Sequence, residues 1–403
     1  MDLESFRALR SAEGQRVLAA VAGRGSDEST LLATLTELRA GYEPALVSAA
    51  LTQARLRDRA RVKFGADADR MFFTPDGVEQ ATRAVVAAHR AGRYAAAAPE
   101  RVLDLCCGIG ADLTALARAG LAAHGVDRDP LTAAVAAANV EALDLAGRAT
   151  VTCADATGVV LSGWPAAFID PGRRQPGRGG GGSGGSRRVF DPRGYSPPFA
   201  FLAEVAEAVP LTGAKVAPGI PHELVPAGAE AEWVSVAGGV KEAALWFGPL
   251  ATVPRRATLL PAAGTPAATL VDSGAGPPPV GPPGEWLYEP DGAVIRAGLV
   301  GEVVGALPGG RLVDPTIAYV AADRAVQTPF ARGYRVTDVL PFSLKRLREL
   351  LRNRGVGQVT VKKRGSAVDP QLLRRELRLT GDGHAIVVLT RVAGAPTVLL
   401  CAA

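Results

Sequence analysis

Between Arg101 and Pro171 the chain alternates short apolar runs with helical stretches, and each run stops at a glycine or a carboxylate. In order these are RVLDLCC, ADLTALARAG, AAHGVD, PLTAAVAAANVEALDL, ATVTCAD and AAFIDP. Apolar runs too short for helices, separated by helical segments long enough to cross back, predict a parallel sheet with crossover helices. Parallel strands all point one way. The glycine turn after Leu105 and the acids Asp127, Asp155 and Asp170 are therefore expected along one carboxyl edge, where open α/β sheets bind ligands. LTGAKVAPG, EWVSVAGG and KEAALWFGP read as later strands of the same sheet.

Around this core the pattern changes. Residues 1–95 show apolar positions at three- and four-residue spacing without strand alternation, and are expected to form a helical N-terminal region. The sheet is assigned to 96–255. The stretch PGRGGGGSGGS at 176–186 is a flexible low-complexity insertion, read as a tolerated surface insertion with a lid as the second choice. The proline-rich SGAGPPPVGPPGE at 273–285 is expected to lie in a connecting segment, 256–330. The tail, 331–403, reads as a compact α+β unit: a helix at SLKRLRELLRNRG, a strand at QVTVKKRG, a helix at DPQLLRRELRL, then two strands.

With 403 residues, 48% of them hydrophobic, the chain can bury a large core. Neither a run of membrane-spanning length nor a secretory leader is evident, so a soluble, cytoplasmic protein is expected. Cys106 and Cys107 are adjacent and Cys153 and Cys401 isolated, which fits reduced thiols and no zinc site. His124, His222 and His384 have no partner spacing, so no metal is expected. The charge is concentrated: 331–403 holds 14 Lys and Arg against 5 Asp and Glu. A basic module beside a weakly acidic remainder is what attachment to a polyanion requires, with a solvated arginine-rich surface as the plain alternative.

The chemistry is densest at VLDLCCGIGAD, 102–112. Gly108 and Gly110 form a tight turn where missing side chains let a ligand approach backbone N–H groups at a helix start. Asp127 ends the next strand, where a carboxylate can accept both hydroxyls of a ribose. A dinucleotide-binding turn calls for a third glycine where this chain has Leu113, and no phosphate-cradling lysine is near. A nucleoside ligand without a diphosphate fits better.

LDLCCGIGAD, VDRDP, AAANVEALDL, CADA and IDPGRR, in this order, resemble class I S-adenosylmethionine methyltransferases, nearest the trimethylguanosine-synthase-like, RNA-methylating branch. The preceding VKFGADADRMFFTPDGVEQAT resembles the branch segment that closes over the cofactor through a Thr-Pro. The resemblance implies a Rossmann-like seven-stranded methyltransferase sheet and S-adenosylmethionine as cofactor. It assigns cofactor contacts to Thr74, Asp104, Cys107, Gly108, Gly110, Asp127 (ribose) and Asp155 (adenine), and catalysis to Asp170 with Pro171. The tail resembles a THUMP-like domain, implying RNA as partner.

The fourth motif departs from the pattern. Amino-methylating relatives follow the prolines with an aromatic that stacks on the base, whereas this chain has Gly172, Arg173 and Arg174. Arg173 and Arg174 either contact RNA or pair with nearby acids, in which case the target is not an exocyclic amine. Asp170 can orient an acceptor and offset charge, or simply cap the next turn. Lys345, Arg346, Arg348 and Arg352 on one helix, with Lys362, Lys363 and Arg364 after a strand, form the expected phosphate footprint. An RNA methyltransferase is the leading reading. The alternatives are a small-molecule methyltransferase and a non-catalytic RNA-binding protein retaining the fold.

Overall fold

The computed structural model describes all residues except 23–27, 173, 176–186, 189–193, 262–266, 275 and 403. The glycine-rich insertion and Arg173 lie outside the described residues. The chain divides into two compact units, Met1–Glu230 with Ala243–Thr252, and Ala231–Glu242 with Val253–Ala403.

The first unit opens with helices α1 (Leu3–Arg10), α2 (Ala12–Val21), α3 (Glu28–Arg39), α4 (Pro44–Phe64), α5 (Pro75–Gln80) and α6 (Ala84–Ala97). Their starts follow local chemistry: Asp2, Ser11 and Thr74 side chains accept from backbone N–H groups of α1, α2 and α5. The α/β alternation follows as β1 (Arg101–Leu105), α7 (Ala111–Arg118), β2 (Ala122–Asp127), α8 (Pro130–Ala142), β3 (Ala149–Cys153) and β4 (Ala166–Ile169). Next come the short β5 (Arg174–Gln175) and β6 (Arg187–Arg188), then α9 (Phe199–Ala208) and β7 (Leu211–Val216); β8 (Glu230–Val236), all but its first residue in the second unit, precedes β9 (Gly239–Trp246) in the chain.

Within this unit the strand order is β9-β7-β4-β1-β2-β3. β3, β2, β1, β4 and β7 are parallel, and β9 runs antiparallel along β7. The expected carboxyl edge is therefore present, with β1, β2 and β4 ending side by side. On one side, Phe6, Leu9, Phe64, Phe72 and Phe73 from the helical region pack with Ile109 and Val135. On another, Tyr94, Val102, Leu113, Phe168 and Trp246 form a second cluster, and the Tyr94 hydroxyl donates to the Ala167 carbonyl at 2.5 Å. Burying so many large apolar side chains, each worth about 1.5–3 kcal/mol, holds the helical region against the sheet.

In the second unit β8 pairs in parallel with β10 (Arg255–Leu260), and β11 (Ala268–Val271) is antiparallel to β10. The rest comprises β12 (Trp286–Pro290), α10 (Gly292–Arg296), α11 (Val300–Ala306), β13 (Arg311–Asp314), β14 (Ile317–Ala322), β15 (Ala331–Pro341), α12 (Leu344–Asn353), β16 (Val356–Lys363), α13 (Pro370–Leu377), β17 (Gly383–Val392) and β18 (Ala395–Ala402). A seven-stranded sheet runs β13-β14-β12-β15-β18-β17-β16. Strand alternation divides its two faces. Val387 and Leu389 of β17 meet Leu347, Leu351, Leu373 and Leu377 of α12 and α13, while Ile386 and Val388 face Tyr319, Tyr334 and Leu287.

The stretch 256–330 thus differs from a simple connector, because β12–β14 share one sheet with the tail. Prolines and glycines between its short strands conceal their alternation. No helix among the described residues is long and apolar enough to cross a membrane.

Candidate functional site

The turn after β1 is built from unusual backbone. Cys106, Gly108 and Gly110 have φ of 61°, 56° and 84°, which puts a non-glycine in the left-handed region ahead of two glycines better suited to it. Cys107 N–H donates to the Val126 carbonyl at 3.0 Å, tying the turn to β2. Beyond it opens a cavity of about 440 Å³ at the carboxyl edge, within the usual size range of small-molecule sites. Thr74, Cys107, Gly108, Asp127, Asp155, Asp170 and Pro171 all line it.

Asp127 is anchored at both oxygens: Oδ2 accepts from Gly108 N–H and Oδ1 from Asp129 N–H, each at 3.0 Å. Burial pushes its carboxyl above the usual aspartate range, and those two backbone donors pull it part of the way back. Asp155 caps the turn after β3; its Oδ1 accepts from the Thr157 hydroxyl at 2.7 Å and N–H at 2.9 Å, which holds its carboxyl below the usual range. Thr74 uses its hydroxyl to cap α5 through Gly77 N–H at 3.0 Å. Gly110 caps α7 in the left-handed conformation and does not itself line the cavity.

Asp104 is placed differently from its neighbours. It is 1% exposed, behind the cavity wall, and neither carboxyl oxygen has a hydrogen-bond partner. Burial, reinforced by the charges of Asp112 and Asp170, holds its carboxyl well above the usual aspartate range. Cys107 is a buried thiol whose pKa is raised first by burial and then by the charge of Asp104, which disfavours the reactive thiolate.

Five contributors were not singled out in the sequence. Lys215 of β7 is 4% exposed, lines the cavity, and donates to Asp170 Oδ2 at 2.7 Å and to Thr82 Oγ1 at 3.0 Å. The Thr82 hydroxyl donates to Asp112 Oδ2 at 2.7 Å, and Arg90 pairs with the other oxygen of Asp112 while lying 4.1 Å over the Phe168 ring. The fifth is Asn139 of α8, fully buried, whose Oδ1 accepts from Phe72 N–H and whose Nδ2 donates to the Phe72 and Ile109 carbonyls. A lysine inside the apolar run LTGAKVA and an asparagine inside AAANV were the available signals.

Among the described residues six carboxylates line the cavity, Asp76, Glu79, Asp112, Asp127, Asp155 and Asp170, against two cations, Arg128 and Lys215. That excess favours a cationic ligand. At Gly108 a Cβ would meet no protein atom within 4 Å, leaving its backbone open on the cavity side. An adenosine sulfonium fits these residues: apolar Ile109, Val126 and Ala156 for a base, Asp127 for a ribose, net negative charge for a sulfonium.

The expected phosphate footprint is only partly free. Lys345 and Arg346 are exposed on α12. Arg348 and Arg352 instead donate to the Glu376 and Arg378 carbonyls at 2.6 and 3.2 Å, fastening α12 to the end of α13. Lys362 is half-buried and paired with Glu289 at 2.5 Å, Lys363 donates to the Val368 carbonyl at 3.1 Å, and Arg364 lies 5.6 Å over the Tyr319 ring. These interactions occupy the three basic residues at the end of β16. Arg174 is in β5, and nothing is described of its side chain. Tyr195 is buried and its hydroxyl accepts from Ala217 N–H at 3.0 Å, an anchor before α9. No cluster of three or more His, Cys, Asp or Glu suited to a metal is found among the described residues.

Residues 331–403 match the family described as THUMP domain-like, and residues 2–60 match a domain of unknown function. Two Mycobacterium tuberculosis proteins, from strains CDC 1551 / Oshkosh and ATCC 25618 / H37Rv, are described as uncharacterized S-adenosylmethionine-dependent methyltransferases. Each is 37% identical to this chain over 347 residues, covering 84% of this chain and 90% of theirs. A crystal structure of a Porphyromonas gingivalis W83 protein assigned to the methyltransferases superposes with a TM-score of 0.73 at 22% identity, covering 93% of this chain and 98% of that one. At that identity the likeness is one of fold. Given the shared sequence across most of the mycobacterial proteins, the chain belongs to the S-adenosylmethionine-dependent methyltransferases.

Proposed function

We propose that the protein methylates RNA in the cytoplasm, as a member of the trimethylguanosine-synthase-like branch. The observation that carries this reading is that Asp170 shares one cavity with Gly108, Asp127 and Asp155, in a chain whose tail matches a THUMP domain-like family. When bound, S-adenosylmethionine supplies an electrophilic methyl group on a sulfonium.

The chain's own residues do the rest. Asp127 has one lone pair used on each oxygen and others left to accept the two ribose hydroxyls. Asp155 keeps Oδ2 for the adenine side. Gly108 and Gly110 shape the turn that leaves backbone open, Thr74 and Cys107 wall the site, and Asp104 is buried outside the cavity lining. Asp170, followed by buried Pro171, receives the acceptor.

RNA is gripped by cations not committed to folding. Lys345 and Arg346 on α12, with Arg374 and Arg375 on the adjoining α13, are exposed, and none of them pairs with an acid among the described residues. Phosphate contacts of this kind bind without reading sequence. The test is full-length protein with labelled S-adenosylmethionine and total RNA from a strain lacking the gene. Label in RNA, lost with Asp170→Asn, is expected; label confined to small molecules rejects the RNA substrate.

A further inference from the structure

The atom that accepts the methyl group is legible in the bonding of Lys215. Its amine meets Asp170 Oδ2 at 2.7 Å and Thr82 Oγ1 at 3.0 Å. The single hydroxyl proton of Thr82 is already given to Asp112 Oδ2. Asp112 in turn accepts from Arg90 on its other oxygen, so Thr82 donates to a carboxyl already engaged by a guanidinium. Thr82 therefore accepts from Lys215, which donates both bonds, and the lysine side chain in its usual ammonium form has three donors and no acceptor. An ammonium has three hydrogens, and the third has no partner among the described residues although Lys215 forms part of the cavity wall.

Asp170 is the counterpart. Its Oδ2 is filled by Lys215, while Oδ1 has no partner among the described residues and the side chain is 24% exposed in the same cavity. A free cationic donor and a free anionic acceptor thus stand beside one another, facing the place where the acceptor must sit.

This pair suits one kind of acceptor. An amine becomes cationic as it takes a methyl group, and a fixed ammonium beside it opposes that charge. An alcohol must instead lose a proton while its oxygen gathers electron density, and there a carboxylate and an ammonium each have a task. The lack of an aromatic after Pro171, where Gly172 stands, agrees: no ring is supplied there to stack a base.

Resting on the methyltransferase assignment and on the proposed RNA substrate, we propose that the acceptor is a hydroxyl oxygen, and within RNA the ribose 2′-hydroxyl, the hydroxyl each internal nucleotide carries. The third hydrogen of Lys215 binds that oxygen, and Oδ1 of Asp170 takes its proton. The methyl carbon forms a bond to the oxygen as its bond to sulfur breaks. The bonding pair stays on sulfur, the sulfonium becomes a neutral thioether, and the proton ends on Asp170.

The experiment uses the full chain, labelled S-adenosylmethionine and total RNA plus the small-molecule extract of a strain lacking the gene. Labelled RNA is hydrolysed in alkali, which needs a free 2′-hydroxyl as nucleophile, and the products are resolved by mass. Label in alkali-resistant dinucleotides is the expected result. Label on a base nitrogen or carbon overturns the hydroxyl acceptor and leaves the RNA reading standing. Label as an ether in a small molecule keeps the hydroxyl acceptor and overturns the RNA reading, and no label in either fraction overturns both. Lys215→Met is expected to lower kcat roughly 10²–10³-fold, the usual cost of one lost donor to a developing oxyanion, with S-adenosylmethionine affinity by calorimetry unchanged. Undiminished kcat in this variant overturns the role of Lys215, while the wild-type product test stands independently of how the variant folds.

Discussion

The backbone N–H of Gly108 donates to Oδ2 of Asp127 across 3.0 Å, so the tip of β2 is bound to the glycine turn that follows β1. With Asp129 N–H on Oδ1, the carboxylate is fixed in position before any ligand arrives. A preset acceptor loses little freedom on binding, which is where a rigid site gains affinity.

Asp127→Ala is therefore expected to weaken S-adenosylmethionine binding by about 3 kcal/mol, roughly a hundredfold, through loss of hydrogen bonds to a charged group. Calorimetric titration measures this directly. Affinity within about a factor of three of wild type, well inside the tenfold that about 1.4 kcal/mol represents, removes Asp127 from the cofactor site.

Asp104 gives stability a pH dependence of defined sign. Its folded-state pKa is raised by burial and by Asp112 and Asp170, so its contribution is fully present below the unfolded value of about 3.9 and is lost as pH rises toward the folded value. Asp104→Asn keeps the shape and removes the titration. The variant is expected to gain in Tm relative to wild type as pH rises from 5 to 8 (about the range in which most proteins are most stable). A Tm difference that is flat across that range shows that Asp104 is not the source.

The α/β rhythm and the cavity acids Asp127, Asp155 and Asp170 were legible because parallel strands joined by crossover helices all end at one carboxyl edge. Lys215, Thr82, Asp112 and Arg90 come from β7, the segment before α6, α7 and α6 itself, and only the folded chain shows that their charges meet. The basic tail was legible as composition, but composition does not separate an arginine that closes a helix end, such as Arg348, from one that stays free, such as Arg346. Strands β12–β14 are hidden in the sequence because proline and glycine break the alternation on which strand reading depends.

Asn139 holds residue Phe72 by both its N–H, at 2.6 Å, and its carbonyl, at 3.0 Å, and also Ile109 by its carbonyl at 2.9 Å. Asn139→Leu leaves three buried backbone groups unpaired, each costing about 1–3 kcal/mol. A fall in Tm of at least about 6 °C is expected for a unit of this size, from about 3 kcal/mol or more at about 2–4 °C per kcal/mol. A shift below about 2 °C, equivalent to under 1 kcal/mol, shows that the segment before Thr74 is held by other interactions.

On α12 the cations divide into two kinds, and the division is measurable. Lys345 and Arg346 are exposed, so Lys345→Gln with Arg346→Gln is expected to leave Tm unchanged and to lower the slope of log affinity for RNA against log salt by about 1.4–1.8, the change that follows when two phosphates are no longer neutralised. Arg352→Ala acts on the fold instead. Its guanidinium holds the Arg378 carbonyl past the end of α13, and losing it is expected to lower Tm with a smaller effect on the salt slope. Equal slopes for wild type and the double variant remove α12 from the RNA-binding surface, because a charge that meets no phosphate releases no counterion.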